Sequence, residues 1–505
     1  MGIPVQTRQI QMPMQTEAVQ IQTLLDELPD VRSITGAVHP ETVVMDVKID
    51  SRLVTVGDLF VSVAPPPAGS LHIERARAAG AEVIIGPSGS YADVVVDDPA
   101  RAAALISCVF FGRPSEELTV LAVTGTNGKS SVTHTTGGIL RTLGCDVGSI
   151  GTIGISMNDE PVGGSRRTPT TPESVDLQRL MRHFADRGAS HVVMEASSIA
   201  LAERRVEGTA IDVGCFTNLS HDHLDVHGSP AAYEAAKLHL FDLSRTPVAN
   251  LDDPVGRRIR DRHSGTRTFG LHSPADLVAT DLHRTPDGTA FTVRTRDGEE
   301  HDGSVAGLGE MSVSNGLAAV ASVAATEVPI GDAVAALAKQ PGPPGRMQIV
   351  PIDRDVTVMI DYAHSPDALA KVLRAVRPTT DGRVLTVFGC GGDRDRSKRP
   401  IMGQLAADLS DEVIITTDNP RTENPDRITT EILAGVPDDA DGVRVIIDRS
   451  DAIAAALRAA RPGDLVLIAG KGSEDYQLIG TEKIPYSDER VVLQLAGSNG
   501  VHQAG

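Results

Sequence analysis

The chain has 505 residues, 41% hydrophobic and 23% charged, the balance of a globular protein of roughly two to four domains. Its 47 basic and 67 acidic residues give a net charge of −20, which excludes the broad basic face of a duplex nucleic-acid binder but not a local phosphate pocket. No apolar run reaches the ~18 residues of a membrane span, so no membrane insertion is expected. The four cysteines, Cys108, Cys145, Cys215 and Cys390, stand singly, as buried thiols in a reducing cytosol do.

Residues 1–37 form a polar extension and a first helix, without the apolar core of a signal peptide. Residues 38–117 hold short β-runs at 59–63 and 83–85 and a helix at 71–79, which makes a small α/β domain. Residues 118–340 alternate strand and helix patterns, as a doubly wound parallel sheet does, and HVVMEASS (191–198) is one of its buried strands. Within this stretch, residues 268–305 read as antiparallel β. QPGPPGR (340–346) is a proline-glycine hinge of the sort that joins domains. Residues 341–505 alternate again, with VTVMID, VLTVFGC, EVIITTD and DLVLIAG as strands.

Residues 118–131, LTVLAVTGTNGKSS, are an apolar run that empties into a glycine-rich turn. Gly125 and Gly128 let backbone N–H groups crowd a phosphate chain. Lys129 brings a point charge, and the Ser130 hydroxyl suits Mg²⁺. A helix follows, its positive end toward the same phosphates. The general pattern wants a glycine where Val123 stands, so an ordinary strand-turn-helix corner is the bland alternative. A nucleoside triphosphate site is the expectation.

Glu195 ends a strand, where a Mg²⁺ beside phosphates needs a carboxylate. HDHLDVHG (221–228) packs three histidines and two aspartates into eight residues, which suits either a polar turn or a metal site. Lys237 follows His223 by fourteen residues in a helical pattern, where a lysine is ordinarily solvated.

Four loops at strand ends of the last region are rich in charge and glycine: DYAHSPDAL (361–369), FGCGGDRDRSKRP (388–400), DNPRTENP (418–425) and IAGKGSEDYQ (468–477). Ligands of open parallel sheets bind at such ends. Arginine forks suit carboxylates and phosphates, so these loops predict a pocket for a zwitterionic, carboxylate-bearing substrate. Salt-bridged surface loops are the alternative.

In these motifs the chain resembles the Mur ligase family, the ATP-dependent amino-acid ligases of peptidoglycan assembly. GTNGKSS, TTPES, MEASS, FTNLSHDHLD, YEAAK, NLDDP, PGRM, DYAHSPDAL, FGCGGDRD, DNPRTE and GKGSEDYQ occur in the family's order, from about residue 50 onward. The resemblance implies an α/β protein of three domains: a small N-terminal UDP-substrate domain, a central P-loop ATPase on a doubly wound parallel sheet, and a C-terminal Rossmann-like amino-acid domain. It implies that ATP phosphorylates the free carboxylate of a UDP-linked muramoyl dipeptide. The amine of a diamino acid then attacks the acyl phosphate. The chain is expected to act as a cytoplasmic monomer.

The resemblance also implies residue roles. Lys129, Glu195, His223 and Lys237 are catalytic, with Ser130, Glu195, His223 and Lys237 around Mg²⁺ and a CO₂-derived carbamate on Lys237. Gly125, Thr126, Asn127, Gly128, Lys129, Ser130, Ser131, Asn315, Arg346 and Asp361 contact ATP. Ser51, Thr170, Thr171, Ser198 and Arg205 belong to the acceptor side. Arg394 and Arg421 clasp the distal carboxylate of the amino acid, with Asp418, Asn419, Gly470 and Glu474 around its polar groups. DNPR is the form of this loop that goes with meso-diaminopimelate; lysine-adding relatives lack the arginine.

Several positions depart from the family pattern. Ile199 replaces a histidine, Glu203 a neutral residue, Ser473 a histidine and Ser312 an asparagine, although Asn315 remains. A glycine-rich turn is reduced to APPPAGSLHI (64–73). Most departures gather on the acceptor side. They leave a second reading, a paralogue that joins an amino acid to a different carboxylate in specialised metabolism. A third is a catalytically weakened binding protein, against which Lys129, Glu195, His223 and Lys237 argue.

Overall fold

The computed structural model describes residues 18–36, 38–162, 170–220, 224–285, 288–438 and 440–498. They divide into two compact units. The first holds the described residues up to Phe269 with Ser273–Asp276 and Ala318–Ala333, and the second holds the rest.

Beside a two-stranded pairing of Val19–Gln20 with Val43–Val44, the first unit contains two larger sheets. The smaller has five strands: β1 (Val31–Ile34), β2 (Val47–Lys48), β3 (Leu59–Val61), β4 (Val83–Pro87) and β5 (Val94–Val96). Their order is β1-β5-β4-β3-β2, with only β1 antiparallel. Valine, isoleucine and leucine dominate β3, β4 and β5 because both faces are covered, whereas β1 is largely exposed. The helix expected at 71–79 runs Ala68–Ala78. It starts early because the prolines before it already hold φ near the helical value, and Pro67 stands in the right-handed helical region.

The central sheet of this unit has eight strands: β6 (Thr119–Thr124), β7 (Val147–Ile150), β8 (Ile155–Met157), β9 (Glu160–Pro161), β10 (His191–Glu195), β11 (Ile211–Phe216), β12 (Ser244–Asn250) and β13 (Arg267–Gly270). Their order is β9-β8-β7-β10-β6-β11-β12-β13. All neighbours are parallel except the β7-β8-β9 edge. β6 lies inside the sheet, and Val120, Leu121, Ala122 and Val123 are all buried. Arg179, on the helix Ser174–Asp186, ties the two sheets by reaching Asp46 at 2.8 and 3.0 Å while lying 4.9 Å over the Phe111 ring.

In the second unit, β14 (Leu277–Thr285), β15 (Gly288–Thr295) and β16 (Glu300–Val305) form an antiparallel meander. The antiparallel stretch therefore begins at Leu277. Residues 268–270, read from sequence as part of it, belong to β13, which pairs parallel with β12. The six-stranded sheet of this unit has β17 (Gln348–Val350), β18 (Thr357–Asp361), β19 (Val384–Phe388), β20 (Glu412–Ile415), β21 (Val443–Val445) and β22 (Leu465–Ala469), in the order β17-β18-β22-β19-β20-β21, and a hairpin of Tyr476–Ile479 with Glu482–Pro485 follows it. The four strands read from sequence are the inner ones. The edge strands β17 and β21 have only three residues each, too few to show a period.

Cys108, Cys215 and Cys390 are buried free thiols, each pushed up to about 12 by burial, whereas Cys145 is half-buried. No described helix is long and apolar enough to cross a membrane.

One ion pair anchors the second unit. Arg449 and Asp488 have side chains with 0% exposure and join through two bonds, Nε to Oδ1 at 2.7 Å and Nη2 to Oδ2 at 2.8 Å. The same guanidinium donates to the carbonyls of Ala469, at the end of β22, and Thr417, just past β20. Removing one partner strands a buried charge, so Arg449→Ala is expected to cost about 3–5 kcal/mol. Arg449→Met with Asp488→Leu should recover most of the loss. Urea unfolding of the full chain checks both; a loss below about 1 kcal/mol for Arg449→Ala would refute the anchoring role.

Candidate functional site

The turn after β6 is stitched to the loop after β11. Thr126 N–H donates to Asn218 O (2.8 Å), Asn127 N–H to Asn218 Oδ1 (3.1 Å) and Thr217 Oγ1 to Asn127 O (2.6 Å). Gly125 has φ +147°, and a Cβ there would stand 1.9 Å from Thr217 Oγ1, so only glycine fits. Gly128, at φ +88°, precedes the helix Lys129–Thr142, whose first turn holds buried Ser130 and half-buried Ser131. Val123, the apparent mismatch, lies within β6 and outside the turn.

Two ammonium groups meet on this turn. Lys129 Nζ donates to the carbonyls of Gly125 (2.9 Å) and Thr126 (3.1 Å). Lys237 Nζ donates to the same Gly125 oxygen at 2.8 Å. Lys237 is only 1% exposed and lies 4.5 Å over the Tyr233 ring. It stands on the buried face of the helix Pro230–Leu243, with Tyr233, Leu240 and Phe241. The solvated position ordinary for a helix lysine does not apply here.

Glu195 closes β10 and is buried. Its Oε1 accepts from Thr152 N–H (2.6 Å) and its Oε2 from Thr152 Oγ1 (3.2 Å). Thr152 Oγ1 lies 3.2 Å from Thr170 Oγ1, and Thr171 Oγ1 donates to Glu195 O at 2.8 Å. Arg205 donates to Thr171 O (3.0 Å) and pairs with Glu173 (3.2 Å) and Glu203. The structure thus gathers Thr170, Thr171, Glu195 and Arg205, and the unusual charge of Glu203 faces an arginine. Ser198 is buried, with its Oγ 3.1 Å from His227 Nε2. Ser51 lies in a turn after β2, where its Oγ is 3.5 Å from His72 Nδ1. His223 lies outside the described residues. Among the described residues, no group of three or more His, Cys, Asp or Glu is arranged to hold a metal.

The remaining candidates lie in the second unit. Asp361, at the end of β18, accepts from the N–H groups of Met347 (2.7 Å) and Ala363 (2.8 Å). Burial pushes its carboxyl up, against the pull of Arg346 and those two donors. Arg346 lies 4.5 Å over the Tyr362 ring, and Asn315 is half-buried on the helix Gly309–Ala324. Ser312 donates back to Leu308 O at 3.1 Å.

Asp418 and Asn419 follow β20. Asn419 Nδ2 donates to Glu474 Oε2 at 2.8 Å, and Lys471 Nζ donates to that oxygen (2.8 Å) and to Asn419 Oδ1 (3.1 Å). Gly470 has φ +115°, and a Cβ there would come within 2.7 Å of Asp418 Oδ2. Half-buried Arg421 donates to Gly392 O at 2.7 Å, and Arg394 is exposed. A Cβ on Gly391 would meet Arg421 Nη1 at 2.9 Å and Arg394 Cγ at 3.8 Å, so both arginines flank that glycine.

Sequence reasoning missed Thr152, Tyr233 and Arg399. Nothing local marks Thr152 or Tyr233, because their partners are 43 and 107 residues away. Arg399, fully buried between Glu423 and Glu431, looked like one more charge in a charged loop. Arg399 holds the Glu423 carboxyl, and Arg396 with Arg399 the Glu431 carboxyl, down at about 2.

Residues 123–323 match the family described as Mur ligase middle domain, and residues 345–472 that described as Mur ligase, glutamate ligase domain. The UDP-N-acetylmuramoyl-L-alanyl-D-glutamate–2,6-diaminopimelate ligase of Thermosynechococcus vestitus is 41% identical over 484 residues, 92% of this chain and 96% of that protein. The ligase of the same name from Alkaliphilus metalliredigens is 38% identical over 489 residues, 95% of this chain and 98% of its own. A solved structure of a ligase of that name superposes with a TM-score of 0.70 at 30% identity, covering 96% of this chain and all of the other. With the P-loop turn, the buried carboxylate of Glu195 and the arginine-flanked glycine loop in place, likeness over nearly the whole length leaves one conclusion: the chain belongs to the Mur ligase family.

Proposed function

We infer that the chain is an ATP-dependent ligase that joins meso-2,6-diaminopimelate to the free carboxylate of UDP-N-acetylmuramoyl-L-alanyl-D-glutamate. The observation that carries this reading is the convergence of Lys129 and Lys237 on the Gly125 carbonyl, at a glycine turn opening a helix, in a chain 41% identical to a ligase of that name. A carboxylate has no good leaving group until it is phosphorylated. The acceptor carboxylate takes the γ-phosphoryl group of ATP, and ADP leaves. The amine then forms the amide bond, the bond from the acyl carbon to the phosphate oxygen breaks, and the amine proton is released.

In this scheme the turn 125–128 and the helix end at Lys129 cradle the phosphates. Ser130, Glu195, His223 and Lys237 are the Mg²⁺ positions. The buried carboxylate of Glu195 is an oxygen donor of the hard type that Mg²⁺ takes. Bound Mg²⁺ supplies charge neutralisation at the phosphate oxygens. Asn315, Arg346 and Asp361 are assigned to ATP. Ser51, Thr170, Thr171, Ser198 and Arg205 are assigned to the acceptor, and Asp418, Asn419, Gly470 and Glu474 to the polar groups of the amino acid. Arg394 and Arg421 take its distal carboxylate. The charge of Glu203, a departure behind the paralogue reading, is met by Arg205.

Lys129→Ala removes the charge that offsets the transferred phosphoryl group. Turnover should fall at least a hundredfold, about 2.7 kcal/mol, in a phosphate-release assay. Retention of more than about a tenth of wild-type turnover would sink the assignment.

Lys237 is proposed to carry a carbamate, formed when its neutral amine attacks CO₂ and loses a proton. Carbon-13 NMR in labelled bicarbonate should show one carbamate signal that Lys237→Ala abolishes, with short carboxylates restoring part of that variant's activity. A spectrum identical for the two proteins would remove the carbamate.

Arg421→Ala should erase most of the preference for meso-diaminopimelate over L-lysine, by a factor of ten or more, about 1.4 kcal/mol. The two amino acids differ by one carboxylate, which half-buried Arg421 can take bidentately only in meso-diaminopimelate. Equal kcat/KM for both in the wild type would refute the selectivity and leave the ligase assignment standing.

A further inference from the structure

Two loops of the second unit carry the arginines that the proposed reading assigns to the distal carboxylate. Residues 389–397 follow β19 and carry Arg394; residues 416–424 follow β20 and carry Arg421. The loops are bonded to each other along their length. Gly392 N–H donates to Asn419 O at 2.9 Å, and Arg421 Nη1 donates back to Gly392 O at 2.7 Å. The Asp393 carboxylate accepts three contacts from one residue: Thr422 N–H at 3.0 Å, and Thr422 Oγ1 at 3.0 and 2.9 Å to its two oxygens. The Asp393 N–H donates to Glu423 Oε1 at 2.6 Å.

Glu423 in turn is gripped by Arg399, which has 0% side-chain exposure. Nη1 donates to Oε2 and Nη2 to Oε1, both at 3.0 Å. Arg399 also donates to Glu431 Oε2 (2.7 Å) and to Gly391 O (3.2 Å). The crossing is therefore anchored from below by a buried cation and closed above by an exposed aspartate-threonine pair.

The backbone shows what this clamp must hold. Asp393 has φ +53° and Arg421 φ +52°, one left-handed non-glycine residue in each loop. Such conformations persist only where surrounding contacts over-determine them. Arg421 is pinned on both sides, its N–H donating to Leu478 O (2.9 Å) and its carbonyl accepting from Gly480 N–H (2.7 Å). Asp393 has the bonds to Thr422 and Glu423. A two-arginine reader of one carboxylate depends on the spacing of its forks.

We propose that Asp393 and Thr422 are positioning residues whose clamp, anchored by Arg399 and Glu423, fixes Arg394 relative to Arg421 and so sets selectivity for an amino acid with a second carboxylate. The inference rests on the ligase reading above. It has a sign that a simple field effect lacks. Removing the Asp393 charge beside two arginines would strengthen carboxylate binding if the charge only tuned the local potential. If Asp393 positions the arginines, removal weakens it.

Asp393→Asn keeps a residue that tolerates left-handed backbone, and Thr422→Val keeps the side-chain shape. Both side chains are exposed. Kinetics are measured for the wild type, the two single variants and the double variant with meso-diaminopimelate and with L-lysine, with thermal melts as controls. The expected result is a fall of at least fivefold in the meso-diaminopimelate to L-lysine ratio of kcat/KM in each single variant. The fall comes through KM for meso-diaminopimelate, and the double variant is no worse than the poorer single, because both residues serve one clamp. A ratio within fivefold of wild type in either single variant, or an equal loss toward L-lysine, overturns the clamp while the ligase reading stands. A wild type that shows no preference removes the selectivity reading, and the clamp falls with it.

Discussion

Two ammonium groups on one carbonyl oxygen set the character of the first unit. Lys129 and Lys237 bond to the Gly125 oxygen at 2.9 and 2.8 Å, so they stand within about 6 Å of one another. At an effective dielectric of about 20, their mutual repulsion is roughly 3 kcal/mol. The fold holds them there by other means: a glycine that alone fits beside Thr217, and a helix face that buries Lys237 among Tyr233, Leu240 and Phe241. A carbamate on Lys237 would turn the repulsion into attraction, which links the proposed modification to the cations already in place.

The second unit handles charge differently. Arg399, Arg449 and Lys471 are all fully buried cations with carboxylate partners, and each braces a strand-end loop. Arg449 joins the ends of β20 and β22 from beneath; Lys471 fixes Asn419 against Glu474; Arg399 fixes Glu423 and the Gly391 carbonyl. Above them Arg421 and Arg394 remain half-buried and exposed. Buried charges are expensive, and their retention at the loop bases is consistent with geometric precision in the arginines above.

Much of this was legible in the sequence, for physical reasons that differ from element to element. The inner strands announce themselves as apolar runs because both sheet faces are covered, and the α/β class follows from their alternation with helices. β17 and β21 did not, since three residues at a sheet edge carry no period. The P-loop turn was legible through Gly125, Gly128 and Lys129, and Val123, where the general pattern has glycine, lies in β6 and not in the turn. The burial of Lys237 was half-legible. Its spacing with Tyr233, Leu240 and Phe241 is that of one helix face, but a lysine on such a face reads as an exception. Thr152, Tyr233 and Arg399 stayed hidden because each acts through a partner brought near only by the fold.

The cysteines carry a practical consequence. Three thiols are buried, with their ionisation pushed up to about 12, so they stay protonated and shielded in the native protein. Cys145 alone is half-buried, three residues beyond the helix Lys129–Thr142 and just before β7. A thiol-reactive dye would therefore reach Cys145 first, with a slowed reaction because burial and Asp146 push that thiol up as well. Its position is the far end of the helix whose first turn carries Lys129 and Ser130. The native chain comes with its own labelling site for fluorescence, at the opposite end of the helix from the phosphate turn.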